Sequence, residues 1–164
     1  MSEDIAKLAN KAKKVIKDIT YITLATSSSK GEPWNSPVYS AFDKSYNFYW
    51  ASWTENQHSR NIMENNKVFV VVYDSRVVEG TGFGVYIKGK ACQLNHIEEI
   101  KNAISLMYKR KGKNARSPEQ FLRKFPRRIF KFVPEKVWVN SSGEVKGNFV
   151  DKRVDITNAI LPKS

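Results

Sequence analysis

Three short strand-like segments lie close together near the start of the chain, at residues 21–26, 33–42 and 47–52. They are joined only by Ser27-Ser-Ser-Lys-Gly31 and Asp43-Lys-Ser-Tyr46. Connections this short cannot carry a crossover, so neighbouring strands must run antiparallel. Gly31 suits a turn position of positive φ. An antiparallel meander of this kind leads to a barrel or a sandwich. Pro37 lies inside the second segment and has no N–H to give a ladder. That position is an edge, a bulge or a place where something other than a strand fills the gap.

The flanking segments give the α+β character. Ile5, Leu8, Ala12, Val15, Ile16 and Ile19 keep helical spacing, with Ser2 placed to cap the start. After residues 47–52 comes a polar loop at 53–57 and a short helix at 59–64. The run Val68-Phe-Val-Val-Val-Tyr73 then reads as a strand buried on both faces. Gly80-Thr-Gly-Phe-Gly84 lacks a strand-to-helix context, so it is no dinucleotide fingerprint. Residues 84–94 alternate, with Val85, Ile87, Gly89 and Ala91 on one side. Ile97, Ile100, Ile104 and Met107 mark a second helix ending near Gly112, and Ser117-Pro118 opens a third that runs to about Lys124 and stops before Pro126. Strands are expected at 129–133 and 136–140 around Pro134, then a turn at Gly143 and a strand near 149–156. The whole reads as one domain, 1–164, with 141–164 a C-terminal extension.

Composition narrows the function. No apolar run approaches the roughly 20 residues of a membrane span, and the acidic start, Met-Ser-Glu-Asp, is unlike a secretory signal. A cytoplasmic protein is expected. Cys92 stands alone and His58 and His96 are far apart, which argues against a disulfide or a metal site. The net charge of +12 is concentrated: residues 101–131 hold eleven basic side chains against Glu119 alone. Such a block suits nucleic acid, an acidic partner or an anionic cofactor tail. Tyr108, Phe121, Phe125 and Phe130 fall partly on core faces of that block, which makes a base-stacking platform a poor fit.

Residues 49–68 concentrate the chemistry. A strand end, a polar loop and a helix start bring hydroxyl, amide, imidazole and guanidinium groups together. Free N–H groups at a helix start favour an anion such as phosphate, and Arg60 adds a charge-assisted donor. Ordinary capping by Asn56 or Ser59 accounts for the same residues.

Three pieces in order then resemble the FMN-binding split barrel of the pyridoxamine 5′-phosphate oxidase-like proteins. They are Ile22-Thr-Leu-Ala-Thr26 with Gly31-x-Pro33 and Ser36-Pro-Val38; Tyr49-Trp-Ala-Ser52; and His58-Ser-Arg-Asn-Ile62 with Asn65-Asn-x-Val68. The resemblance implies an antiparallel split β-barrel of about six or seven strands, an N-terminal helix, and helices inserted before the last strands. It implies FMN, with Asn35, Ser36, Pro37 and Val38 along the ring, Ala51 and Ser52 near the ribityl chain, and Gln57, His58 and Arg60 at the phosphate with Asn61 close by. It implies an oxidoreductase of unknown substrate, with no residue assigned as catalytic, and a homodimer holding the cofactor between subunits. A deazaflavin or haem are the alternative ligands of such a fold, haem with His58 or His96 as axial ligand. Ser36 stands where the vitamin-making oxidases carry arginine, and His58 where they carry lysine. Their arginine-containing C-terminal substrate motif has no counterpart, which points away from vitamin B6 oxidation.

Overall fold

The computed structural model describes residues 4–123, 125–145 and 148–162. The elements in order are α1 (Ile5–Asp18), β1 (Tyr21–Ser27), β2 (Pro33–Tyr39), β3 (Ala41–Phe42), β4 (Phe48–Trp53), α2 (Gln57–Glu64), β5 (Lys67–Val72), β6 (Val85–Gln93), α3 (Ile97–Lys111), a 3₁₀ turn (Pro118–Phe121), β7 (Arg127–Val145), β8 (Asn148–Asp155) and α4 (Thr157–Ile160). The expected cap, Ser2, lies outside the described residues. Asp4 caps α1, its carboxylate accepting the Lys7 N–H. No helix of the described residues is long and apolar enough to cross a membrane.

All strands belong to one antiparallel sheet in the order β2-β1-β5-β6-β7-β4-β3, with β8 paired to β7. The two end strands, β2 and β3, are consecutive in the chain and separated by Ser40 alone. The sheet therefore curls until its ends meet. The single strand expected at 33–42 is two, because the chain must leave β1 and join β4 within one residue. Ser40 is buried at this corner, its N–H bonded to the Thr20 carbonyl.

Alternation along the strands sends Ile22, Leu24, Val38, Phe48, Trp50, Val70, Ile87, Phe130, Phe132 and Val139 into one core. Each large side chain removed from water contributes about 1.5–3 kcal/mol. Trp50 stacks on Phe130 at 5.7 Å between ring centres. Ala9, Ala12 and Ile16 of α1 and Ile160 of α4 complete this core. A second core lies on the outer face of β3, β4 and β7, where α3 packs Ile100, Ala103, Ile104 and Met107 on Ala41, Tyr49 and Ile129.

Four local expectations are corrected. Only one face of β5 is fully buried; Phe69 and Val71 on the other are partly exposed, with Phe69 stacked on Trp138. Pro134 does not divide β7. The register with β6 slips between Lys88 and Gly89, so Gly89 faces Pro134 and Glu135 is bulged out, a place where a missing N–H costs nothing. The third helix is a 3₁₀ turn, and its expected end at Lys124 lies outside the described residues. Gly143 is within β7, opposite Val150, and is not a turn.

Candidate functional site

The split follows from the corner at Ser40. Ala41 pairs with Tyr49 and Phe42 with Phe48. Continued along the chain, that register would set β2 against the rest of β4. Instead β2 pairs with β1 and diverges. In the opening, α2 inserts His58. Its Nδ1 lies 3.1 Å from Ser36 Oγ on β2, and its Nε2 lies 2.8 Å from Ser52 Oγ on β4. One imidazole thus replaces the ladder between the two strands. The Trp34 indole N–H donates to Ser36 Oγ at 3.1 Å and extends the chain to the protein surface.

His58 is only 7% exposed. Burial pushes its pKa below the ordinary value, so the ring is neutral at neutral pH. A neutral imidazole has one donor and one acceptor. With the proton on Nε2, the ring donates to Ser52 and accepts from Ser36. With it on Nδ1, the directions reverse, and Ser36 accepts from both His58 and Trp34. Either tautomer satisfies both nitrogens and neither leaves one free for a metal.

Polar side chains bolt α2 to β1 behind this bridge. Gln57 Nε2 donates to Asn61 Oδ1 at 2.8 Å, Asn61 Nδ2 donates to Thr26 Oγ1 at 3.1 Å, and the Thr26 hydroxyl donates to the Trp34 carbonyl at 3.3 Å. Asn65 bonds Ser27, and Glu64 accepts from the N–H and hydroxyl of Ser29. Arg60 lies outside, its guanidinium bonded to Gln57 Oε1 at 3.1 Å and paired with Glu55 at 3.5 Å. Asn56 occupies the cap position of α2 without a side-chain bond to the helix. Ser59 Oγ is buried with no partner among the described residues.

The ten expected ligand-lining residues therefore divide. Ser36, Ser52, His58 and Asn61 converge on the inner side, and Gln57 and Arg60 fringe the start of α2. Asn35 and Pro37 are exposed on the opposite face of β2. Val38 joins the barrel core, and Ala51 packs toward α3. Trp34 and Thr26, which also join this network, were not among the ten. The signal was present, since Trp34, Ser36 and Val38 share one face of a strand.

On the outer side of the split, Arg127 of β7 pairs in register with Trp53 of β4, whose ring is 54% exposed. The Lys111 ammonium lies 4.8 Å from the centre of the Tyr39 ring and 5.0 Å from that of Tyr108. Of the aromatic residues in the basic segment, Phe121 and Phe130 are buried and Tyr108 packs in the α3 core. His96 is exposed at the start of α3, and no group of three or more metal-ligating side chains occurs among the described residues. Cys92 is an exposed strand residue whose thiol is pushed up by partial burial.

The family profile of pyridoxamine 5′-phosphate oxidase matches residues 8–141. No curated protein matches the chain in sequence. Among solved structures, HutZ, the haem storage protein from Vibrio cholerae, is 18% identical, with 80% of this chain and 94% of that chain covered and a TM-score of 0.68. ChuZ from Campylobacter jejuni is 14% identical over 98% of this chain and 63% of its own, with a TM-score of 0.73. A haem-binding protein from Mycobacterium smegmatis is 15% identical over 93% of this chain and 59% of its own, with a TM-score of 0.64. At these identities the likeness carries the fold alone.

Proposed function

The chain belongs to the pyridoxamine 5′-phosphate oxidase family, and we propose that it binds FMN along the split between β2 and β4 and acts as an oxidoreductase. The observation that carries this reading is the free edge of β2 at the split, with Pro37, which has no N–H to lose, on it. The flavin would supply the hydride chemistry. The protein's part is to hold and orient it. The backbone edge of β2 from Asn35 through Ser36 and Pro37 to Val38 would face the ring, and the β4 backbone at Ala51 and Ser52 the ribityl chain. The start of α2, with first-turn N–H groups that no side chain caps, together with Gln57 and Arg60, fits a phosphate. His58 and Asn61, engaged in internal bonds, would act by fixing β2 and α2 in place. Trp34 and Trp53 are half-exposed beside the split, and burying them favours a homodimer with the cofactor between subunits.

A second reading, haem, is favoured by two structural neighbours described as haem proteins. His58 is a poor axial ligand because both its nitrogens are bonded. His96, exposed at the start of α3, is the other candidate. Absorbance of the purified protein, before and after adding FMN or haemin, separates the two. Flavin bands with FMN released on denaturation are expected, and Arg60→Ala should weaken FMN binding about tenfold, the loss of one charge-assisted bond. A protein that ignores FMN overturns the flavin reading, and a Soret band in that protein establishes the haem one.

A further inference from the structure

The basic segment has a focus that the flavin reading leaves unused. Lys111 ends α3, Lys113 and Arg116 follow in the exposed loop, and Arg127 opens β7. The tertiary fold brings them to one place. The α3 core packs on Ile129, which shares the outer face of β7 with Arg127, and the Lys111 ammonium reaches across to the Tyr39 ring on β2. Three features mark this place as built for a negative group. No carboxylate pairs with any of the four cations among the described residues. Arg127 Nε is shielded from water yet has no acceptor among the described residues, an arrangement that is costly unless a partner is supplied. Aromatic surfaces stand beside the charges: Tyr39 and Tyr108 under Lys111, and the exposed Trp53 opposite Arg127. Burial, then the charges of Arg127, Lys113 and Arg116, lowers the Lys111 pKa, as expected where like charges are held together.

We infer that Lys111, Lys113, Arg116 and Arg127 form an anion site on the outer face of the split, which takes a phosphate or carboxylate group of a ligand whose flat part lies along Tyr39 and Trp53. A bound counter-charge relieves the mutual repulsion of the four cations. The site is separate from the start of α2, where Arg60 already has Glu55. Its ligand-bearing role rests on the flavin reading of the split, because FMN with its phosphate at the start of α2 leaves this site to a second, anionic ligand such as the substrate.

Inorganic pyrophosphate, titrated calorimetrically into the full chain at low salt, is the probe. The K111Q/R127Q variant should weaken its binding about tenfold or more, and K113Q/R116Q, which changes only exposed loop residues and leaves the fold intact, by several-fold. The control K7Q/K14Q removes two charges from α1 and should leave binding unchanged. Equal affinities in wild type and K111Q/R127Q, or an equal loss in the control, would overturn the site. FMN and uncharged riboflavin identify the source of the anion. Competition by FMN but not riboflavin overturns the second-ligand role and moves the cofactor's phosphate from the start of α2 to this site. Simultaneous binding of FMN and pyrophosphate assigns it to a second, anionic ligand. If neither flavin binds, the flavin reading fails, while the pyrophosphate titration still decides the anion site.

Discussion

Replacing His58 tests the split most directly. In His58→Ala, two hydrogen bonds are lost, each contributing about 1 kcal/mol net. Ser52, only 4% exposed, is left with an unpaired hydroxyl, and the imidazole leaves a void between β2 and β4. Together these cost roughly 3 kcal/mol. For a domain of this length that corresponds to a fall in melting temperature of about 6–12 °C. The pH dependence carries a second signature. Burial lowers the folded-state pKa of His58, so the unfolded chain binds the proton more readily. The contribution to stability is fully present above the unfolded pKa of about 6.5 and is lost as pH falls from there through the folded value. His58→Gln keeps an amide within reach of one serine but cannot titrate. It should be less destabilised than His58→Ala, and stability measured by urea unfolding should fall less between pH 7.5 and pH 5 than in wild type. A wild-type slope unchanged in His58→Gln, or an alanine variant within about 0.5 kcal/mol of wild type, would show that the bridge does not hold the strands.

Two further substitutions test how the barrel is assembled. Gly89→Ala places a methyl group against the Val133 carbonyl oxygen and 2.8 Å from the Phe132 ring at the bulge. A loss of at least about 2–3 kcal/mol in urea unfolding is expected from overpacking, and a tolerated alanine would refute the close approach. Arg110 donates through one terminal nitrogen to the carbonyls of Ile16, Lys17 and Ile19 and so ties α3 to the end of α1. Arg110→Ala should cost roughly 2 kcal/mol and speed hydrogen exchange at the last turn of α1, while β4 and β7 keep their protection. Uniform acceleration across the chain would mean that Arg110 supports the whole fold and not that junction.

Much of this architecture was legible because it is local. Tight turns with Gly31 and Asp43 force antiparallel neighbours. Strand alternation correctly placed Val85, Ile87, Gly89 and Ala91 on the buried side of β6. The apolar spacing of α1 and α3 located both helices. What could not be read depends on partners distant in sequence. Nothing near Ser40 announces a change of strand, because the change is required by closure of a sheet whose other strands extend as far along the chain as Asp155. Pro134 looked like a strand boundary because a proline removes a donor. Only the slipped pairing with Gly89 shows that no donor was needed. The run Val68-Phe-Val-Val-Val-Tyr73 is apolar on both sides, yet the sheet leaves its outer side half-covered. Hydrophobic pattern states what a face prefers, and topology decides whether anything lies over it.

The candidate site shows the same division in a sharper form. The loop and helix at 53–64 were visible as a cluster of polar side chains, and two roles were consistent with it, capping and ligand binding. Neither Asn56 nor Ser59 caps α2 through its side chain, and the polar residues divide instead between internal bonds and outward-facing groups. Asn61 and His58, the most chemically suggestive, point inward and are satisfied by Thr26, Ser36 and Ser52. Arg60 and the uncapped first turn of α2 remain outward. A buried polar side chain with every bond made is rigid, because any movement forfeits bonds that water cannot replace. An exposed one is free to trade its partner for a ligand. The inner set therefore sets the width of the split, and the outer set is where the proposed ligand would find binding energy. On this argument, substitutions of the inner residues change stability first and affinity through geometry, whereas substitutions of Arg60, Lys111 or Arg127 change affinity with the barrel intact. The wedge and the proposed binding surface are two faces of one opening, created where the chain leaves β2 for β3 at Ser40.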